Sequence, residues 1–290
     1  MNLKEESIVM ERSTETEAPL PITSIRSGSG IEIAPDAYCY TTKISNVFLI
    51  GNPATSPQWV LVDAGMPHSA EKILKEAEKR FGPDQQLQAI LLTHGHFDHV
   101  GALIDILEKH PVPVYAHPDE IPYLNGSEDY PQPDSSVEGG MVAKISKTFP
   151  VKAIDISEHL VELPSDGSIP DLPDWRWLHT PGHTKGHVSF FKDVGRVLIA
   201  GDAFVTVKQD SLYKVMRQKK EVHGPPVYLT TDWRAAWESV CKLADLQPSF
   251  AATGHGKPMK GSSLAQGLVE LADHFPDVSV PSYGKFVHTK

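Results

Sequence analysis

The chain has 290 residues, long for one domain and short for two, and 40% of them are hydrophobic, enough for a sizeable core. Lysine and arginine total 27 against 37 aspartates and glutamates, a formal charge of -10, which leaves no basic footprint for holding a phosphate backbone and excludes nucleic acid as the default partner. Cys39 and Cys241 stand far apart with no CxxC spacing, so a disulfide framework is excluded and free thiols are expected.

Residues 1–21 are polar, acidic and aperiodic and read as a mobile tail, ahead of a single domain over 22–290. The tail carries charges where a secretory signal needs an apolar core, and no apolar run approaches the roughly 18 residues of a membrane span, so the expectation is a cytoplasmic protein without membrane contact. From Ile22 to Asp63 the pattern predicts strands at ITSIR, AYCYTTKI, VFLIG and WVLVD, punctuated by turn residues. A helix follows, with Ser69 as its cap and Ile73, Ala77 and Phe81 on one face. LQAILL is a continuous apolar run, as expected of a strand covered on both faces, and it leads into Thr93-His94-Gly95-His96-Phe97-Asp98-His99. Val100, Leu103, Ile104 and Leu107 then fall at i, i+3, i+4 and i+7 and predict one amphipathic helix ending near His110-Pro111. Further strands are predicted at VPVYA, DWRWLH, HVSFF, RVLIA and PSFAA, with helices from about Asp232 to Leu246 and Ser262 to Phe275. Inserts are read near 125–150, a loop-like segment with the character of a lid, and near 205–230. No fixed repeat period is visible, which argues against a solenoid or propeller.

Five of these strand candidates run into a potential metal ligand or its neighbour: Asp63, His94, His183, Asp202 and His255. In open α/β sheets functional groups collect at the carboxyl ends of strands, so residues scattered in sequence are expected at one edge of the fold. An extended approach puts His94 and His96 on the same side, while Asp98 and His99 enter a first helical turn and point elsewhere. Two ligand directions suggest two metals. The competing reading makes Asp98 a helix cap and the histidines the lining of a turn. His183 lies in TPGHTKGH, Asp202 in AGDA and His255 in GHGKP, and glycines beside ligands permit sharp turns and close approach. Imidazoles and carboxylates without a thiolate suit zinc, iron or manganese.

H-x-H-x-D-H after a buried strand, then TPGHT, GD and GHG in that order, resemble the metallo-β-lactamase-fold superfamily of metallohydrolases over roughly Ile22 to Phe275. The resemblance implies a four-layer αβ/βα sandwich, two mixed β-sheets face to face with helices outside. It implies that His94, His96 and His183 bind one metal, that Asp98, His99 and His255 bind the other, and that Asp202 bridges them. Asp63 would support the ligands from behind. With two divalent ions, zinc first and iron or manganese as other occupants, a hydroxide held between them would attack the carbonyl of a small ester, lactone or thioester. Asp98 or a metal-bound water would then pass a proton to the leaving group.

Asp202 resembles the glyoxalase II and acyl-homoserine lactonase branches and argues against the true β-lactamases. His96 stands where a flavodiiron oxidoreductase would carry glutamate. Two departures limit the likeness: Val205 stands where the lactonases carry a tyrosine, and no glutathione-binding helical region follows His255. A persulfide dioxygenase with one iron and a non-catalytic metal-binding relative are the alternatives. Tyr213 and His223 from the second insert, and Tyr123 and Tyr130 near the first, are candidate substrate contacts. His117, His159, His179, His187 and His274 read as structural or exposed.

Overall fold

The computed structural model describes residue 24 and residues 26–138, 140–207 and 221–287. The predicted tail over 1–21 and the middle of the second insert, including Tyr213, lie outside the described residues. The first sheet runs in chain order through β1 (Gly30–Ala34), β2 (Ala37–Thr42), β3 (Ser45–Ile50), β4 (Gln58–Val62), β5 (Gln86–Leu91), β6 (Val114–Ala116) and β7 (Leu160–Glu162). It is antiparallel from β1 to β4 and parallel from β4 to β7. The second sheet has the order β12 (Met259–Lys260), β11 (Phe250–Ala252), β10 (Val197–Ile199), β9 (Val188–Lys192), β8 (Trp175–His179), with β10 and β11 its parallel pair. The helices are α1 (Ala70–Phe81), α2 (Phe97–Val100), α3 (Leu103–Leu107), α4 (Ile121–Leu124), α5 (Gly140–Ser146), α6 (Trp233–Asp245) and α7 (Ser262–Val278).

Period-two alternation along fully buried strands creates the layers. On β3 and β4, Val47, Leu49, Trp59 and Leu61 face α1 and α3 through Ile73, Ala77, Leu103 and Ile106. Their neighbours Phe48, Ile50, Val60 and Val62 point the other way and meet Val188, Phe190, Val197 and Ile199 of the second sheet. Phe191 and Leu198, on that sheet's outer face, pack with Ala236 and Val240 of α6 and Leu264 and Leu268 of α7. Helices, sheet, sheet and helices thus form the expected four-layer αβ/βα sandwich.

Two local expectations fail. ITSIR is not a strand at its described positions, because Ser27 and Ser29 amides bond the carbonyls of Ser24 and Arg26 in turns at 3.0 and 2.9 Å, and the first strand begins at Gly30. The single helix after the histidine motif is split into α2 and α3, since the Gly101 amide bonds the Gly65 carbonyl of a neighbouring segment at 2.8 Å. Ser69 occupies the cap position of α1, but its hydroxyl makes no cap bond. The segment near 125–150 carries α5 and a small core of its own, in which Val137, Val142 and Phe149 pack with Tyr228 and Leu229. Among the described residues no helix is long and apolar enough to cross a membrane.

Candidate metal centre

The strand ends bring the candidate ligands together. Asp63 follows β4, the THGHFDH loop follows β5, His183 sits between β8 and β9, Asp202 follows β10 and His255 follows β11. Asp63, His94, His96, Asp98, His99, His183, Asp202 and His255 are all buried, none more than 6% exposed. One atom each from His94, His96 and His183 lies within 4.8 Å of the others, and the same holds for Asp98, His99 and His255. Asp202 lies between these triads, its Oδ2 3.6 Å from His183 Nε2, 3.3 Å from His255 Nε2 and 3.7 Å from His99 Nε2.

Groups behind the cluster aim it. Asp63 accepts from the Thr93 amide, the Thr93 hydroxyl and His99 Nδ1, each at 2.8 Å, and so turns His99 Nε2 toward the centre. His255 Nδ1 donates to the Ile44 carbonyl at 3.1 Å, which does the same for its Nε2. Asn46 Nδ2 ties the Thr253 and Gly256 carbonyls at 2.8 Å each and holds the loop on both sides of His255. Gly254 must be glycine for this packing: a Cβ there would stand 2.1 Å from Asp202 Oδ1 and 2.6 Å from His99 Cε1. After all these bonds, His94 Nε2, His99 Nε2 and Asp202 Oδ1 remain buried with no hydrogen-bond partner among the described residues. Buried polar atoms seldom go unpaired, and three pointing into one cluster of imidazoles and carboxylates fit divalent cations.

Charge divides the two triads. Burial holds His94 and His183 well below the ordinary histidine value and His96 at about 4, so these rings are neutral, with His96 Nδ1 and His183 Nε2 hydrogen-bonded to each other at 3.0 Å. Burial also disfavours charge on His99 and His255, but neighbouring carboxylates outweigh it. Asp63, Asp202 and Asp98 hold His99 well above its usual value, and Asp202 and Asp98 raise His255 to about 10. Asp202 in turn sits well below the carboxylate range, where His255 and His99 overcome its burial. Asp98 lies 3.2 Å from His255 Nε2, and the N-terminus of α2 has no side-chain cap.

A sequence model described as the metallo-beta-lactamase superfamily matches residues 40–255. The chain belongs to this superfamily. It is 51% identical over 259 residues to the probable metallo-hydrolase YflN of Bacillus subtilis, covering 89% of this chain and 98% of that one. The hydroxyacylglutathione hydrolase GloC of Haemophilus influenzae is 28% identical over 49% of this chain and 59% of its own length. Among solved structures of the superfamily's fold, TTHA1623 in a di-iron-bound form is 25% identical with a TM-score of 0.52, over 77% of this chain and 93% of that one. These likenesses support a metal-dependent hydrolase of the superfamily.

The candidate substrate contacts from the inserts, and the remaining neighbours of the cluster, are placed as follows. Tyr130 is buried, with its hydroxyl on the Gly95 amide at 2.8 Å and on Glu120, and its ring 4.5 Å from that of His96. Tyr123 stacks on Tyr130 at 3.9 Å and is likewise buried. His223 pairs its backbone with Val205 at 2.9 Å in both directions, and its Nε2 lies 3.0 Å from Glu221 Oε2. Val205 is buried in this bridge. His187, read as structural or exposed, is a fully buried neighbour of the cluster: its Nε2 accepts the Asp202 amide at 2.9 Å and its Nδ1 donates to Thr180 O at 3.0 Å. The signal was present, since His187 follows a glycine and opens a strand as the ligands close theirs. Glu120 had no such signal and is buried between the two histidine loops.

Proposed function

We propose that this protein is a dinuclear metal-dependent hydrolase acting on a small ester, lactone or thioester in the cytoplasm. The observation that carries the reading is Asp202, a buried carboxylate between two triads, each of which leaves one buried nitrogen, His94 Nε2 or His99 Nε2, without a hydrogen-bond partner among the described residues. In this reading His94, His96 and His183 hold one divalent ion, Asp98, His99 and His255 hold the other, and Asp202 contacts both. When bound, such a pair supplies Lewis acidity and lowers the pKa of water, with zinc the first candidate and iron, as in the di-iron neighbour TTHA1623, or manganese the others. The neutral rings of His94, His96 and His183 would bind through ring lone pairs, while Asp63 and the Ile44 carbonyl hold the Nδ1 protons of His99 and His255, so that each Nε2 would ligate once a metal displaces the proton that the carboxylates retain there. Asp98, whose carboxyl is held against burial below its usual value by His99 and His255, would take a proton from the attacking water and return it to the leaving group. The hydroxyacylglutathione hydrolase named among the relatives supports an activated acyl bond as the substrate class.

The test is metal quantification followed by a panel of small esters, lactones and thioesters. About two zinc ions per chain with oxygen-independent cleavage is the expected result, whereas one iron with oxygen consumption overturns it. His96→Ala and Asp202→Ala each remove a group from the centre while leaving the hydrophobic cores intact. Both are expected to lower metal content and reduce turnover by about 100-fold or more, a loss of about 3 kcal/mol in transition-state stabilisation. Full activity in either variant rejects the site.

A further inference from the structure

We propose that Glu120 is a positioning residue that clamps the two histidine loops together, so that His94, His96 and His183 are aimed at a common point. The inference rests on the metal reading of that triad. Glu120 ends the short turn Pro118–Glu120 that precedes α4, and it is 1% exposed. Its Oε1 accepts from the Thr184 hydroxyl and, at 3.1 Å, from the Gly186 amide. Its Oε2 accepts from the Gly95 amide at 3.0 Å and from the Tyr130 hydroxyl. Gly95 lies between His94 and His96, and Thr184 follows His183, so one carboxylate grips both loops beside their ligands.

Burial pushes the Glu120 carboxyl above its usual value, and the hydrogen bonds from Thr184, Tyr130, Gly95 and Gly186, two to each oxygen, oppose that by filling its lone pairs. That arrangement also accounts for features the ligand pattern leaves unexplained. The second glycine of TPGHTKGH, Gly186, lets Glu120 approach, since a Cβ there would lie 2.7 Å from the Glu120 amide nitrogen and 2.8 Å from its Cγ. Tyr130 completes the clamp by bonding Glu120 and Gly95 together while its ring lies against His96. Glutamine in place of Glu120 has one acceptor oxygen and one amino group, so it satisfies the donors of one loop and repels those of the other.

The test uses full-length, chelator-treated protein titrated with cobalt(II), whose visible absorption reports coordination geometry. His255→Ala isolates the first triad and His183→Ala disables it, leaving the second. Glu120→Gln is expected to weaken cobalt binding about 10–100-fold and alter the absorption bands in the His255→Ala background, the usual scale for a group that orients ligands. In the His183→Ala background it is expected to change neither. Equal weakening in both backgrounds means a general loosening of the fold and overturns the positioning role, as does no weakening in either. If the parent variants bind no cobalt, the metal reading fails and this one with it. Thr184→Val removes a single donor and serves if Glu120→Gln does not fold: a smaller loss confined to the first triad is expected, and unchanged affinity overturns the proposal.

Discussion

Asp63 decides which nitrogen of His99 faces the candidate centre, and it does so from a backbone conformation, φ 58°, that non-glycine residues rarely adopt. Asparagine at this position keeps the shape but offers one acceptor oxygen to the three donors, Thr93 amide, Thr93 hydroxyl and His99 Nδ1. We expect Asp63→Asn to weaken metal binding about 10–100-fold with little change in the far-UV circular dichroism spectrum. Metal titration of the purified variant checks this, and wild-type affinity would show that Asp63 does not orient His99. Asp63 was legible in sequence because it closes an apolar strand in VDAG. Glu120 was not, because its partners Tyr130, Gly95, Thr184 and Gly186 lie 10 to 66 positions away and two of the four are backbone amides, for which no residue pattern exists. The four histidine and aspartate positions of THGHFDH were readable as a group because strand and helix geometry translate spacing into direction. His187, read as structural or exposed, is structural and buried: it fills the gap between Thr180 and the Asp202 amide.

At the scale of elements, α6 links helix capping to the site. Asp232 accepts the Ala235 amide at 2.9 Å, while the amides of Thr231 and Asp232 bond the Gly182 carbonyl at 3.1 and 3.0 Å, just before His183. Removing the cap carboxylate leaves those two backbone bonds in place. Asp232→Ala is therefore expected to cost about 1 kcal/mol of stability, a fall of about 2–4 °C in Tm for a domain of this size, with metal content unchanged. Calorimetry of the variant beside Asp232→Asn, which keeps a cap, measures it; an unshifted Tm would remove the capping role. This helix was predicted within a residue of its observed ends because its cap and its period both lie within its own sequence. The long strands were legible for a similar reason, since burial on both faces makes an apolar run. By contrast, β7 and β12 span three and two residues and draw their identity from partners distant in sequence. The break between α2 and α3 was hidden for the same cause: Gly101 is captured by Gly65, a contact outside the helical pattern.

For the whole molecule, the candidate centre lies where the two sheets converge, and each sheet supplies part of it. His94, His96, Asp98 and His99 hang from β5 of the first sheet, whereas His183, Asp202 and His255 hang from β8, β10 and β11 of the second. Protein bonds already cross the gap here, from the Val188 amide to the Thr93 carbonyl at 2.9 Å and from Asn46 to the His255 loop. Each triad draws on both sheets, so a cation bound there would cross-link them, and a ligand that binds only the folded state stabilises it by mass action. At a free zinc concentration 100 times the dissociation constant the gain is about 2.7 kcal/mol. For a chain of this length that corresponds to a rise of about 5–10 °C in Tm over the chelator-treated protein. His96→Ala takes a ligand from the first sheet and His183→Ala one from the second, and each is expected to reduce the rise while leaving the chelated Tm close to that of the wild type. Differential scanning calorimetry with chelator and then with excess zinc reads both quantities. Identical Tm values in the two conditions would mean that no cation spans the sheets, and the site would have to be understood as a buried network of ion pairs instead.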